Sequence, residues 1–231
     1  MDNFKQRLSR DSFIYKKHSG IFIIALIVLA VLCRPVDAAK ITAPMSFTDD
    51  EMRSQETAFG SLMSDAVRDI VKADAAILAA SVFKKAVIPS GDVSISHLTA
   101  ALAFPDETIF VIELTGTQVK AAVEHAVSIY PRKNLGYLQV SGIAFEFDPK
   151  LEQSNRVVKL TINGKPVSES KKYKIATTSS LANGALGYWR IWPKENIIEK
   201  TKHSLLQALE NYIASRTVID YSNLNRISIR G

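Results

Sequence analysis

The stretch KIATTSSLANGALGYWRIW, Lys174 to Trp192, is the part of the chain around which the rest is organised. It opens as a strand, with Tyr173 and Ile175 alternating with Lys174 in β-compatible residue types. Thr177, Thr178, Ser179 and Ser180 then break the pattern, Asn183-Gly184 makes a small-residue turn, and Gly187 adds a second glycine. Tyr188, Trp189 and Trp192 close the stretch. A strand that releases a glycine-containing loop beside aromatic side chains is a common setting for a binding site, because the sheet fixes where the loop begins. The alternative is a surface connection whose aromatics cover the core.

Outward from this stretch the chain alternates strands and helices. Phe59, Leu62, Met63, Ala66, Val67 and Ile70 form one apolar stripe at helical spacing. Ala75–Ala80 follows as a short buried strand, then a Phe83-Lys84-Lys85 loop and a Pro89-Ser90-Gly91 turn. Ser96 is expected to cap a short helix that runs to Leu102 and ends before Pro105. Ile109–Leu114 is a second buried strand, and Thr115 with Gln118 has capping-box spacing ahead of the stripe from Val119 to Tyr130. Such strand–helix–strand connections suggest parallel pairing in mid-sheet. Leu138–Phe147 changes phase near Gly142, which predicts a β-bulge. Val158, Leu160 and Ile162 lead into Asn163-Gly164, a two-residue hairpin signal, with Pro166 marking an edge. Leu205, Leu206, Leu209, Tyr212 and Ile213 give a last amphipathic helix. The expected fold is α/β (α+β), a mixed sheet flanked by helices.

The N-terminus predicts export. Residues 1–20 are basic, Ile21–Leu32 is an unbroken apolar run of 12 residues, and Val36-Asp37-Ala38 has the small-residue pattern of a cleavage site. Residues 1–38 are therefore expected to be a signal peptide and 39–52 a loose lead-in, with the domain at 53–231. The apolar run is short for a spanning helix, which needs about 20 residues, so an uncleaved anchor is the lesser alternative. Leu32 is too large to precede a lipidated Cys33. The expected location is periplasmic or secreted, with no stable membrane insertion after cleavage.

Removing this segment changes the charge argument. The full chain carries 29 basic and 23 acidic residues, and residues 1–38 hold six and three of them. The remainder has a formal charge of +3 and no Lys/Arg cluster that argues for nucleic acid. The single cysteine also leaves, so the domain is held by its core rather than by a disulfide.

Catalytic chemistry is scarce in the pattern. His97, His125 and His203 stand alone, without the spacing of a metal pair, and read as solvated or capping residues. Ser179 and Ser180 lack the setting of an activated serine. Glu56 and Asp65, nine apart along one expected helix, fall about half a turn out of phase and read as poor acid/base partners.

Several segments in order carry a resemblance. Arg53-x-x-Glu56-Thr57-x-x-Gly60-x-Leu62-x-x-Asp65-Ala66-x-Arg68 resembles the entry helix of the C-terminal domain of 5'-nucleotidases. Ile88-Pro89-x-Gly91, Glu113-Leu114-Thr115-Gly116-x-Gln118-Val119 and Leu138-Gln139-Val140-Ser141-Gly142 resemble that family's next landmarks. So do Asp148-Pro149, Arg156-Val157-Val158, Gly164-Lys165-Pro166, Ala176-Thr177 and Gly187-Tyr188. The resemblance implies a domain that binds the nucleoside part of a nucleotide. A separate N-terminal metallophosphoesterase domain, expected to be missing from this chain, would hold the divalent metals and perform hydrolysis. No cofactor is then expected in this chain itself, and the implied partner is a metallophosphoesterase chain.

The same resemblance implies substrate contacts at Lys85, Phe104, Glu107, Gly136, Ser180 and Leu186, and most of these depart from the family pattern. Lys85 stands where the family has arginine, keeping the charge without the bidentate fork. Phe104-Pro105-Asp106-Glu107 replaces P-F-x-N, with Glu107 for asparagine. Ser180 replaces a stacking aromatic and Leu186 an acidic residue. Two functions follow as expectations. One is an exported substrate-recognition part of a phosphohydrolase completed by another chain. The other is a non-catalytic binding or structural module with a degenerate nucleoside pocket.

Overall fold

The computed structural model describes residues 40–92 and 94–231, and the export segment expected at residues 1–38 lies outside the described residues. Residues 40–52, expected as loose, are tied into the domain. Strand β1 (Lys40–Ile41) and helix α1 (Asp49–Met52) carry Ile41 and Met52, which are buried with Met45 and Phe47. Helix α2 (Ala58–Val71) follows, its apolar stripe buried from Phe59 to Val67 and its start capped by the Thr57 hydroxyl, which accepts from Gly60 N. Lys72 ends it in a left-handed conformation.

Strand β2 (Ala75–Ala79) is buried at every position. After β3 (Gly91–Asp92), the short helix α3 (Ile95–Thr99) begins at Ser94 rather than Ser96, and the two hydroxyls hydrogen-bond to each other instead of capping backbone N–H groups. Strand β4 (Thr108–Thr115) leads straight into α4 (Gly116–Val127) through the expected Thr115/Gln118 capping box. The phase change at Gly142 is not a bulge. It is the point where the chain leaves one sheet, as β5 (Leu138–Ser141), and enters another, as β6 (Ile143–Phe147). Gly142 has φ +71°, and a Cβ there would lie 2.6 Å from the Asp74 carbonyl, so only glycine makes the passage. The irregularity falls instead at Val158 in β7 (Val157–Ile162), which has no partner between the pairs Glu146↔Lys159 and Phe147↔Val157.

Asn163 and Gly164 both have positive φ, as a tight hairpin requires, and join β7 to the edge strand β8 (Lys165–Pro166). Then come β9 (Lys172–Thr178), the one-turn helix α5 (Ser179–Ala182), β10 (Ile197–Ser204), α6 (Leu205–Ala214), β11 (Val218–Ile219) and β12 (Ile227–Ile229). The expected α/β fold, mixed sheet flanked by helices, is present, with the strands among the described residues divided over three mixed sheets. The central one has the order β10-β4-β9-β2-β5, flanked by β11-β1-β3 and β12-β6-β7-β8. Its one parallel pair is β2 with β9, not β4 with β5, the two strands joined by α4, because β9 and β2 both lie between those two. No helix among the described residues is long and apolar enough to cross a membrane.

Glu56 and Asp65 correct the sequence reading most sharply. Glu56 precedes α2, and the two carboxylates converge on Arg226, which arrives from the C-terminal segment. Arg226 donates to Asp65 Oδ1 and Oδ2 at 2.9 and 2.8 Å, and its backbone N–H donates to Glu56 Oε2 at 2.8 Å. Burial alone would raise the Asp65 carboxyl, but the Arg226 guanidinium and the Ser141 and Tyr221 hydroxyls outweigh it and hold it below the ordinary range. A second buried polar group, Gln139, ties the start of α2 to β5. Its carbonyl accepts from Thr57 N, and its amide nitrogen donates to Gln55 O.

Candidate functional site

The direction of the strands decides where the loops meet. β2 and β9 run parallel and end at Ala79 and Thr178, while β4 and β5 run against them and begin at Thr108 and Leu138. Four segments therefore emerge at one end of the central sheet: residues 80–85, 103–107, 134–137 and 179–190. All six residues singled out by resemblance lie on these segments.

Phe104, Glu107 and Ser180 line one groove of about 550 Å3 together with Ala103, Pro105 and Asp106. The 103–107 segment is anchored by Leu205 N and Leu206 N, which donate to Glu107 O and Pro105 O. Glu107 crosses to the 179–190 segment, its Oε1 accepting from Ser180 N at 2.9 Å. Phe104 is 58% exposed, a large apolar ring left open at the mouth of the groove. Ser180 places only a hydroxyl there, 3.2 Å from that of Thr178.

Gly136 and Leu186 meet in an adjoining cluster. A Cβ at Gly136 would lie 3.6 Å from that of Leu186, and the Gly136 carbonyl accepts from the Tyr188 hydroxyl at 2.7 Å. Burial pushes the Tyr188 phenol far up, so it stays a donor. Three positive-φ positions shape the loop: Gly184, Leu186 and Gly187 have φ of 88, 57 and 89°. At Leu186 this conformation is unfavourable for an ordinary side chain and better tolerated by aspartate or asparagine. His125, read from sequence as a solvated or capping residue, supports this loop. Its Nε2 lies 2.8 Å from Leu186 O and must carry the proton, since a carbonyl can only accept. Its ring also meets Tyr188 edge-on at 4.7 Å. Nothing in local spacing signals this role, because Leu186 is 61 residues away. Trp192 stacks on Tyr188 and donates Nε1–H to Ala182 O, closing the loop over the core.

Lys85 stands apart from both clusters. Its backbone N–H donates to Asp49 Oδ1 at 2.7 Å, and its side chain is exposed on the segment that follows β2. Among the described residues no three His, Cys, Asp or Glu side chains are grouped to hold a metal ion.

The chain is similar to known proteins in sequence and in fold. The family model described as 5'-nucleotidase, C-terminal domain, matches residues 37–192. A 5'-nucleotidase of Diplobatis ommata is 30% identical over 138 residues, covering 56% of this chain and 24% of that protein. An apyrase of Aedes albopictus is 26% identical over 193 residues, covering 78% of this chain and 34% of that protein. Among solved structures, a 5'-nucleotidase precursor from Thermus thermophilus superposes with a TM-score of 0.75 at 22% identity, over 93% of this chain and 43% of that one. The chain thus spans about a quarter to a third of the length of these curated relatives. Its matched segment covers more than half of its own residues. The chain belongs to the 5'-nucleotidase C-terminal domain family.

Proposed function

We propose that this chain is exported and supplies the nucleoside-recognition part of a phosphohydrolase in nucleotide breakdown. The divalent metals and the hydrolytic step would belong to a metallophosphoesterase on another chain. The observation that carries the reading is the groove at the sheet end, where an exposed aromatic, Phe104, sits beside the Glu107 carboxylate and the Ser180 backbone. An open ring offers a base a stacking face, and polar groups at its edge can fix orientation. Relatives named 5'-nucleotidase and apyrase support the nucleotide side of the reading. Export is supported by the basic-then-apolar N-terminus and by a structural neighbour described as a precursor.

A second reading is a non-catalytic module with a degenerate nucleoside pocket. It is favoured by the side chains at two positions: Ser180 has no ring, and Leu186 has no carboxylate in the cluster beside Gly136. One experiment separates the two. Calorimetry with adenosine is run on residues 39–231 and on the Ser180→Phe/Leu186→Asp double variant, alongside co-purification from the native host. A stack and a charged hydrogen bond together are worth about two to four decades of affinity. Weak binding by the wild type, strong gain in the double variant and a metal-dependent phosphatase partner are the expected results. A folded double variant that ignores adenosine, with no phosphatase in the co-purified material, would overturn the recognition reading.

A further inference from the structure

A second cavity, of about 580 Å3, lies on the outer side of the loop that carries Leu186. Three separate segments build it. Helix α4 contributes Lys120, Glu124 and His125, the turn before β7 contributes Ser154, and the end of the loop contributes Arg190. Lys120 and Arg190 are exposed and, among the described residues, neither is in an ion pair. The one carboxylate in the lining is already occupied. Glu124 Oε1 and Oε2 accept from Val157 N and Arg156 N at 2.9 and 3.0 Å. In the cavity beside Asp65 the cations are already engaged: Lys72 pairs with Asp69, Arg68 donates to Ala73 O and Asn163 Oδ1, and Arg216 donates to Tyr212 O and Ser215 Oγ.

We propose that this cavity binds a tetrahedral oxyanion of the phosphate class, either free phosphate or the phosphate of a monoester. Two positive charges free of ion pairs border a concave space in which the only carboxylate already accepts from two backbone N–H groups. Lysine acts as a point charge and arginine as a planar fork, and donors arriving from three directions suit an anion with several acceptor oxygens better than a planar carboxylate. The Ser154 side chain adds a hydroxyl donor. The site stands apart from the nucleoside groove and does not depend on nucleoside binding. It also adjoins the pocket-shaping loop, because His125 lines the cavity and donates to Leu186 O.

Trp189 supplies the readout. Its ring is 63% exposed and lies under the Arg190 guanidinium at 5.1 Å, so an anion that engages Arg190 alters the indole's surroundings. Residues 39–231 are titrated with inorganic phosphate and with ribose 5-phosphate at constant ionic strength, following tryptophan fluorescence, with chloride as control. The expected result is a saturable change with phosphate or with the ester but not with chloride. Lys120→Met and Arg190→Met should each weaken binding about tenfold or more, with unchanged circular dichroism. Tighter binding of ribose 5-phosphate than of phosphate would assign the site to a monoester, and the reverse to the free anion. No saturation below about 10 mM of either probe, or full binding by folded Lys120→Met, would overturn the proposal.

Discussion

Arg226 grips Asp65 through two parallel hydrogen bonds across 161 residues of sequence. The pair is only partly exposed, and it anchors the segment that delivers β12 to the edge of the β6 sheet. Asp65 also accepts from the Tyr221 hydroxyl at 2.7 Å, leaving Tyr212 to donate to Tyr221 at 3.0 Å. The whole cluster is therefore satisfied by groups on α2, β5, α6 and the C-terminal segment.

Arg226→Ala leaves two carboxylates facing each other's charge without their cation. It should destabilise the domain by about 2–4 kcal/mol, toward the low side of a buried pair because the side chains keep some solvent. Urea unfolding measures it, and a double-mutant cycle with Asp65→Ala should return a coupling well above that of an exposed pair.

Acid should weaken the same clasp. The Asp65 pKa is lowered in the folded state, so the unfolded chain takes up the proton first as pH falls. The contribution is complete above the unfolded value of about 3.9 and is lost as pH drops through the lower folded value. Urea midpoints measured from pH 5 downward should fall more steeply in the wild type than in Asp65→Asn. Parallel curves would remove Asp65 from the account.

Tyr137 carries the opposite kind of buried polar group. Its ring is buried, and its hydroxyl has no hydrogen-bond partner among the described residues. Tyr137→Phe deletes an unsatisfied oxygen without opening a large space, and should be neutral or stabilising by about 1 kcal/mol. A melting temperature lowered by the change would reveal a water or ligand bonded to that hydroxyl.

Backbone strain in the loop gives a paired test. Leu186 sits at φ 57°, and glycine there relieves a cost of about 1–2 kcal/mol, partly offset by its extra freedom in the unfolded chain. Leu186→Gly should therefore leave stability equal or higher. Gly187→Ala should lower it, since φ is 89° and the new Cβ would lie 3.1 Å from the His125 ring. Thermal melts of both variants check the signs.

What can be recovered from sequence follows from how local each signal is. The stripes of α2, α4 and α6 and the Thr115/Gln118 and Asn163-Gly164 signals each lie within a few residues, and the structure has all of them. The step at Gly142 is equally local, but a bulge and a passage between sheets leave the same one-residue phase change. Only the different partners of the two strands, β2 for β5 and β7 and β12 for β6, distinguish them. Helical phase separates Glu56 from Asp65 because their shared partner, Arg226, is invisible at that range. In the candidate site, family landmarks point to Phe104, Glu107 and Ser180, and the sheet topology brings them to one groove. His125 needs the fold, since its bond is to a backbone carbonyl that any residue could offer.

The insertion of β9 between β2 and β4 also constrains the order of assembly. Until residue 178 is available, the two earliest strands of the central sheet have a vacant lane between them, and neither can pair with the other. Contacts spanning about a hundred residues cost loop-closure entropy before they return any hydrogen bonds, which slows folding. A chain stopped at Asp148 should therefore remain unfolded rather than form a smaller domain, and a chain emerging in sequence order would stay pliant until that central strand docks.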